Sequence, residues 1–223
     1  MNKAVVAVLA LLVSMTSAGA QVPPSPSEIA AYRGLHAAAA SGNSAEIGTL
    51  MKAGAGAETR DAGGRTPFLV AAHLRQRDAM KALVAAGAYA NAADDQRYDA
   101  VTIASVAGDV ETLETALALG NRATNVTSTY DGTALIAAAH LGHDEVVRVL
   151  IKAGAPLDHV NNLGWTALIE AVVLGDGGNR HTETVRALVS AGADTSIADR
   201  SGQTPLDLAR ARGYAGMVKL LGG

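Results

Sequence analysis

The sequence predicts an all-α solenoid, a single row of stacked helix pairs, because two markers recur at a near-constant spacing. A Gly-Ala pair ends successive apolar segments, with its glycine at Gly54, Gly87, Gly154 and Gly192. A threonine followed by Pro or Ala and an apolar residue recurs at Thr66, Thr133, Thr166 and Thr204. The interval from Gly54 to Gly87, like that from Thr133 to Thr166, is 33 residues. A repeat of this length is typical of arrays in which each unit contacts only its neighbours.

Each marker has a physical role at a helix end. The threonine can cap free backbone N–H groups, and Pro67 and Pro205 have a φ already suited to a first turn. The glycine ends the second helix, where a left-handed residue is needed. Between the markers lie an alanine-rich helix, a turn and a second apolar helix such as residues 145–151. Because no such unit can bury its apolar face alone, stability must come from contacts between units.

The first twenty residues have the pattern of a cleavable signal peptide. Lys3 precedes an apolar run over residues 4–13, and small residues follow at 18–20. A membrane anchor is the alternative, but the run covers about half of the roughly 20 residues that a spanning helix needs. We therefore predict cleavage after Ala20, export to a bacterial periplasm and no stable membrane insertion of the mature chain.

The mature chain is expected to begin with a short extended segment. Residues 21–27 (QVPPSPS) form a proline-rich leader. Ser25, Pro26 and Glu28 then have the spacing of a capped helix start, with the serine as cap and the glutamate three residues later.

Composition excludes several classes of function. A chain of 223 residues with 49% apolar content is sufficient for a folded core. Its net charge of −3, with 17% charged residues, lacks the positive field on which nucleic-acid binding depends. The absence of cysteine removes disulfides, thiolate nucleophiles and cysteine-ligated metals.

At the repeated Gly-Ala and threonine markers the chain resembles the ankyrin repeat family. Residues 133–155 and 203–209 are near the family consensus, and the resemblance covers roughly residues 28–223. The chain follows the family's period and its Thr-Pro-Leu-His, Gly-His and Gly-Ala-Asp signatures, although the histidine of the first signature survives only as His36. It implies an ankyrin-repeat α-solenoid with short β-hairpin-like connections and about six repeats, of which two are caps. The predicted units are 28–65 (N-terminal cap), 66–98, 99–132, 133–165, 166–203 and 204–223 (C-terminal cap).

Two units depart from the family pattern. The third, 99–132, is divergent: Asp99 replaces the threonine and an additional residue falls within 125–132, so we expect an irregular hairpin there. The fifth has five additional residues, which we predict to form an inserted loop at 175–182 (GDGGNRHT).

The histidines suggest an alternative function, the binding of a small ligand or a metal ion. His140 and His143 share a helical spacing and, with the inserted loop, could form a small-ligand or metal site. The resemblance instead implies a structural bond from His143 to backbone, and a metal site needs three or four converging ligands. Asp176 and His181 could supply acid–base groups, but a glycine-rich loop does not hold them rigidly enough for catalysis. We therefore predict no enzyme activity, no metal and no cofactor.

The resemblance implies non-catalytic protein binding through a concave surface, made of the hairpin tips and the outward side of each unit's first helix. The residues expected to bind a partner there are Arg65, His73, Asp95, Arg97, Tyr98, Tyr130, His140, Leu163, Trp165 and Arg200. Tyr, Trp and Arg often anchor protein interfaces. Packing of Trp165 against its own helices is the alternative to an exposed anchor.

The expected partner is another exported or envelope protein, not a nucleic acid, and the chain itself is expected to be a monomer. A narrower version of this function is an escort or immunity role for an exported enzyme.

Overall fold

A computed structural model describes residues 21–223, and the predicted signal peptide lies outside these residues. The described part consists of short helices and one two-stranded hairpin, which confirms the predicted all-α solenoid. The elements are α1 (Pro26–Ala31), α2 (Gly34–Ala40), α3 (Ser44–Lys52), α4 (Pro67–His73), α5 (Arg77–Ala85), α6 (Ala100–Val106), α7 (Val110–Ala118), β1 (Val126–Thr127), β2 (Gly132–Thr133), α8 (Ala134–His140), α9 (Asp144–Lys152), α10 (Ala167–Val173), α11 (Asn179–Ser190), α12 (Pro205–Ala211) and α13 (Ala215–Leu220).

The helices form two layers. The first helix of each unit packs against the first helices of its neighbours, as α8 does with α6 and α10, and the second helices do the same. Small side chains permit this close approach: Ala138 and Ala139 on α8 are fully buried. Larger side chains such as Phe68, Leu135 and Leu168 fill the space between the layers. One continuous core therefore runs along the row.

The predicted helix starts and ends are confirmed. The hydroxyl of each marker threonine accepts the backbone N–H three residues later, as Thr166 does from Ile169 at 3.2 Å. Asp99 performs the same cap in the third unit, accepting from Thr102 at 2.8 Å. The glycines of the Gly-Ala pairs have positive φ, from +80° at Gly154 to +103° at Gly87. The divergent unit thus keeps its helix start with a different capping residue.

Four of the five hairpin tips are held by one acidic or amide side chain, which accepts the backbone N–H groups two and four residues later. These side chains are Asp61, Asp94, Asn161 and Asp199. In the remaining tip the hydroxyl of Ser128 takes this place, at 3.3 Å from both N–H groups.

The tip with Ser128 is also the irregular hairpin that the sequence predicts. Its strands β1 and β2 are antiparallel, with Val126 opposite Thr133. Gly120 and Ser128 are eight residues apart, whereas Gly87 and Asp94, at the same points of the preceding unit, are seven apart.

Two predicted boundaries are wrong. Helix α11 begins at Asn179, so the second half of the predicted loop 175–182 is helical, and the insertion lengthens α11 to 12 residues. The proline-rich leader ends before residue 27, because α1 begins at Pro26. Ser25 and Glu28 form the reciprocal cap that the spacing predicts. Within residues 21–223, no helix has the length and apolar character needed to cross a membrane.

Candidate protein-binding surface

The ten residues predicted to bind a partner differ widely in exposure. Those with exposed side chains are Asp95, Arg97, Tyr130 and Arg200. Those of intermediate exposure are His73, His140, Leu163 and Trp165. Trp165 is partly buried and packs against the core, so part of its side chain has the local packing that was the alternative to an exposed anchor. Arg65 and Tyr98 are buried, and the expectation that they are exposed is wrong.

Arg65 is buried because the N-terminal cap folds over it. Its side chain is 3% exposed and forms ion pairs with Asp61, at 2.7 Å, and with Glu28 on α1. Its Nη1 donates to the carbonyl of Val22 in the leader, at 3.1 Å. The hydroxyl of Tyr32 donates to the same Asp61 carboxylate at 2.5 Å. Arg65 therefore joins the leader and α1 to the first hairpin tip.

Tyr98 is buried because the irregular hairpin lies against the neighbouring tip, which carries Tyr98. The backbone N–H of Ser128 donates to the carbonyl of Arg97 at 3.3 Å, which brings the next hairpin beside residue 98. The Tyr98 side chain is 7% exposed. Burial, with a smaller contribution from the nearby Asp94 carboxylate, raises the pKa of Tyr98. The side chain forms part of a cavity wall on the concave surface.

This cavity, of about 400 Å³, spans the third to fifth units. Its volume lies within the range of sites that hold small ligands, roughly 300–1,000 Å³. The apolar wall includes Ile136, Leu141, Leu163 and Leu174. Tyr130 and Leu141 are also among the large side chains with exposed surface, and Gln21 of the leader lines the same cavity.

Glu170 on α10 is the charged group that lines the cavity. Its side chain is 4% exposed, and its Oε1 accepts from Nδ2 of Asn161 at 2.9 Å. Its Oε2 is buried without a hydrogen-bond partner among residues 21–223. Nδ1 of His140 lies 3.4 Å from Oε2.

Sequence reasoning missed Glu170, although the repeat contained a signal. Glu170 lies four positions after Thr166, and the residue four positions after each of Arg33, Thr66, Asp99, Thr133 and Thr204 is apolar: Ala37, Val70, Ile103, Ala137 and Leu208. A glutamate at a position that is otherwise apolar is the type of exception that marks a functional or strained site.

His140 and His143, the two histidines of the alternative small-ligand or metal site, have different surroundings. Nε2 of His143 lies 3.2 Å from the Val106 carbonyl, and its Nδ1 accepts from Arg180 at 2.8 Å. Burial lowers the pKa of His143, and Arg180 adds to the shift. His140 faces the cavity instead. The residues that the structure describes contain no group of three or more His, Asp or Glu able to hold a metal ion.

Comparison with known proteins agrees with this geometry. A family model described as ankyrin repeats (3 copies) matches residues 101–199. YahD, an ankyrin repeat protein of Escherichia coli K12, is 31% identical over 185 residues, which span 82% of this chain and 92% of YahD. The chain belongs to the ankyrin repeat family. Ankyrin repeats are generic protein–protein interaction modules, and the domains similar to this chain are typically non-catalytic.

Two solved ankyrin repeat structures have the same fold. The ankyrin repeat domain ABAYE2397 of Acinetobacter baumannii AYE is 40% identical, with a TM-score of 0.75 over 84% of this chain and 95% of that one. The ankyrin repeat protein EF0377 is 32% identical, with a TM-score of 0.78 over 85% of this chain and 98% of that one.

Proposed function

We propose that this ankyrin repeat protein binds a partner protein through its concave surface, around the cavity of the third to fifth units. The observation that carries the proposal is the cluster of interface-forming side chains there. Tyr130 and Leu141 combine exposed surface with positions on the cavity wall, and Arg97 lies exposed on the neighbouring tip. A rigid scaffold that presents Tyr and Arg beside a concave apolar patch is typical of protein interfaces.

The charges on this surface favour a partner with a specific complementary pattern. Arg97 and Asp131 form an exposed ion pair of 2.7 Å, and Asp95 and Arg200 are exposed on the tips. Opposite charges this close produce little long-range field. They contribute to the register of a docked partner more than to the rate of encounter.

The setting that we propose is the bacterial periplasm, and the partner is an exported or envelope protein. The signal-peptide pattern of residues 1–20 supports this location. Within that setting the protein acts as a monomer, as an escort or immunity protein that covers an exported enzyme. No catalytic step is part of the proposal.

The proposal is tested by affinity capture from the native compartment, with two tyrosine variants. Tyr130→Ala removes an anchor from the concave surface. Tyr89→Ala is the matched control, because Tyr89 is 60% exposed but lies in the loop directly after α5, outside the cavity wall. We expect Tyr130→Ala to weaken binding of the captured partner at least fivefold, about 1 kcal/mol, and Tyr89→Ala to leave it unchanged.

The proposal is wrong if partner binding is equally strong in both variants, or if only Tyr89→Ala weakens it. Trp165→Ala is a less direct test, because this half-buried side chain packs against the core and its loss also changes stability. Thermal unfolding of every variant separates an effect on the surface from an effect on the fold.

A further inference from the structure

We propose that the cavity at Glu170 binds a cationic side chain, an arginine or a lysine, of the partner protein. This inference rests on the proposed function and adds to it the chemistry of the partner's anchor. The cavity has one buried carboxylate, an apolar wall and two tyrosines, and each of these features suits a positive group on an aliphatic stem.

The carboxylate of Glu170 lacks a full set of partners within the described chain. Asn161 satisfies one oxygen with a neutral donor, and Oε2 makes no hydrogen bond there. A buried carboxylate without compensation is costly, and ions in protein interiors are normally paired. Because the other units have an apolar residue at this position, the fold itself does not require a charge. A ligand that carries the opposite charge would account for it.

No side chain of the described residues donates a hydrogen bond to Oε2 of Glu170. Nδ1 of His140 lies 3.4 Å from Oε2, beyond the usual 2.7–3.2 Å of an N–H···O hydrogen bond. Arg97 pairs with Asp131, and Arg180 bonds to His143 and to nearby carbonyls. Oε2 therefore keeps its capacity for a charge-assisted hydrogen bond from outside.

The remaining wall suits the rest of such a side chain. Ile136, Leu163 and Leu174 present apolar surface to an aliphatic stem. Tyr98 and Tyr130 line the same cavity, and aromatic faces attract guanidinium and ammonium groups. The volume of about 400 Å³ also places the cavity in the size class of small-ligand sites.

The inference is tested with three capped probes titrated into the purified protein and followed by NMR. The probes are a hexapeptide with one central arginine, the same peptide with neutral citrulline in its place, and N-acetyl-arginine amide. We expect the arginine peptide to shift the backbone amides of residues 136, 163 and 170 in a saturable manner. The citrulline peptide should bind at least tenfold more weakly, because it keeps the shape of arginine without the charge.

Variants identify the carboxylate as the source of this selectivity. Glu170→Gln should abolish the preference for arginine over citrulline, whereas Glu145→Gln, at an exposed glutamate of α9, should preserve it. If Glu170→Gln fails to fold, Glu170→Leu replaces it, since leucine occupies this position in the sixth unit. Thermal unfolding checks the fold of each variant.

Three results would overturn the inference. The first is equal binding of the arginine and citrulline peptides, or no binding of either. The second is an arginine preference that survives in the Glu170 variants. The third is binding of N-acetyl-arginine amide as tight as that of the peptide, which would identify a site for a free small cation. Partner capture that depends on Tyr130 but not on Glu170 would remove this inference and leave the proposed function intact.

Discussion

The second and fourth repeat units place a histidine at the same position, yet the two side chains have different environments. Each histidine follows its capping threonine by seven residues and ends the first helix, as His73 on α4 and His140 on α8. Nε2 of His73 is buried without a hydrogen-bond partner among the described residues. His140 is 39% exposed and lies at the cavity, beside Glu170.

The units that follow the two histidines differ as well. Four positions after its start, the unit that follows His73 has Ile103, whereas the unit that follows His140 has Glu170. The hairpin tips differ in a similar way. The tip before the second unit is closed by the ion pairs of Arg65, and the tip before the fourth unit is longer and lines a cavity. In a solenoid, repeat register fixes where a residue lies, and the adjacent unit decides what surrounds it.

Arg65→Ala tests the closed tip and should have the largest effect on stability. Removal of the guanidinium leaves the buried Asp61 and the partly buried Glu28 without their counter-charge. Loss of one partner from a buried ion pair costs about 3–5 kcal/mol. We expect a decrease of that size in the free energy of unfolding, measured by urea denaturation.

Arg97→Ala is the matched control for this prediction. Arg97 lies on the following tip and also pairs with an aspartate, but both side chains are exposed, so the loss should stay below about 1 kcal/mol. A loss of similar size in the two variants would contradict the distinction between a closed and an open tip.

His73 should make the protein less stable in mild acid. Burial, with repulsion from Arg65, lowers the pKa of His73 from 6.5 to about 4, so the folded protein keeps this ring neutral where the unfolded chain takes up a proton. Above pH 6.5 the ring is neutral in both states and adds no pH dependence. Between pH 6.5 and pH 4 only the unfolded state is protonated, and stability falls by roughly 2 kcal/mol by pH 5.

Urea denaturation at pH 7 and pH 5 measures the effect of this histidine. His73→Leu should reduce the pH dependence, since it removes the group that titrates only in the unfolded chain. His140→Leu, the equivalent change in the fourth unit, is the matched control. An unchanged pH dependence in His73→Leu would show that other groups, such as His143 with its lowered pKa, are responsible.

Much of the fold could be predicted from local sequence signals, because its helix ends depend on local chemistry. Thr66 caps a helix and Gly154 ends one through backbone geometry that each residue type favours wherever it occurs. Exposure at the tips could not be predicted in this way. Arg65 and Tyr98 have the register of exposed residues and are buried by α1 and by the irregular hairpin, which are 37 and about 30 residues away in sequence.

Part of the candidate site could be predicted from the register of the repeats. Tyr130 and His140 follow from repeat register, and both line the cavity. Glu170 was detectable as a polar exception to an apolar position, but the cavity beside it is lined by residues of the irregular hairpin and of three units. Such an arrangement is not encoded in any single repeat.

The smallest expected effect concerns the hydroxyl pair that holds the irregular hairpin. Oγ1 of Thr127 on β1 lies 2.9 Å from Oγ1 of Thr102 on α6, and both side chains are buried. Thr127→Val leaves the Thr102 hydroxyl buried without this partner, and we expect a loss of about 1 kcal/mol in the free energy of unfolding. Thr129→Val, an exposed change in the same hairpin, should stay within about 0.5 kcal/mol.

The double variant Thr102→Val with Thr127→Val decides whether the two hydroxyls act as a pair. Replacement of both partners by apolar groups of similar shape removes the unsatisfied group, so the combined loss should be smaller than the sum of the two single losses. The position of Thr102 is occupied in the second unit by Leu69, a fully buried apolar side chain. Additive losses would mean that each hydroxyl is satisfied elsewhere, and that the longer tip is held by the bonds of Ser128 alone.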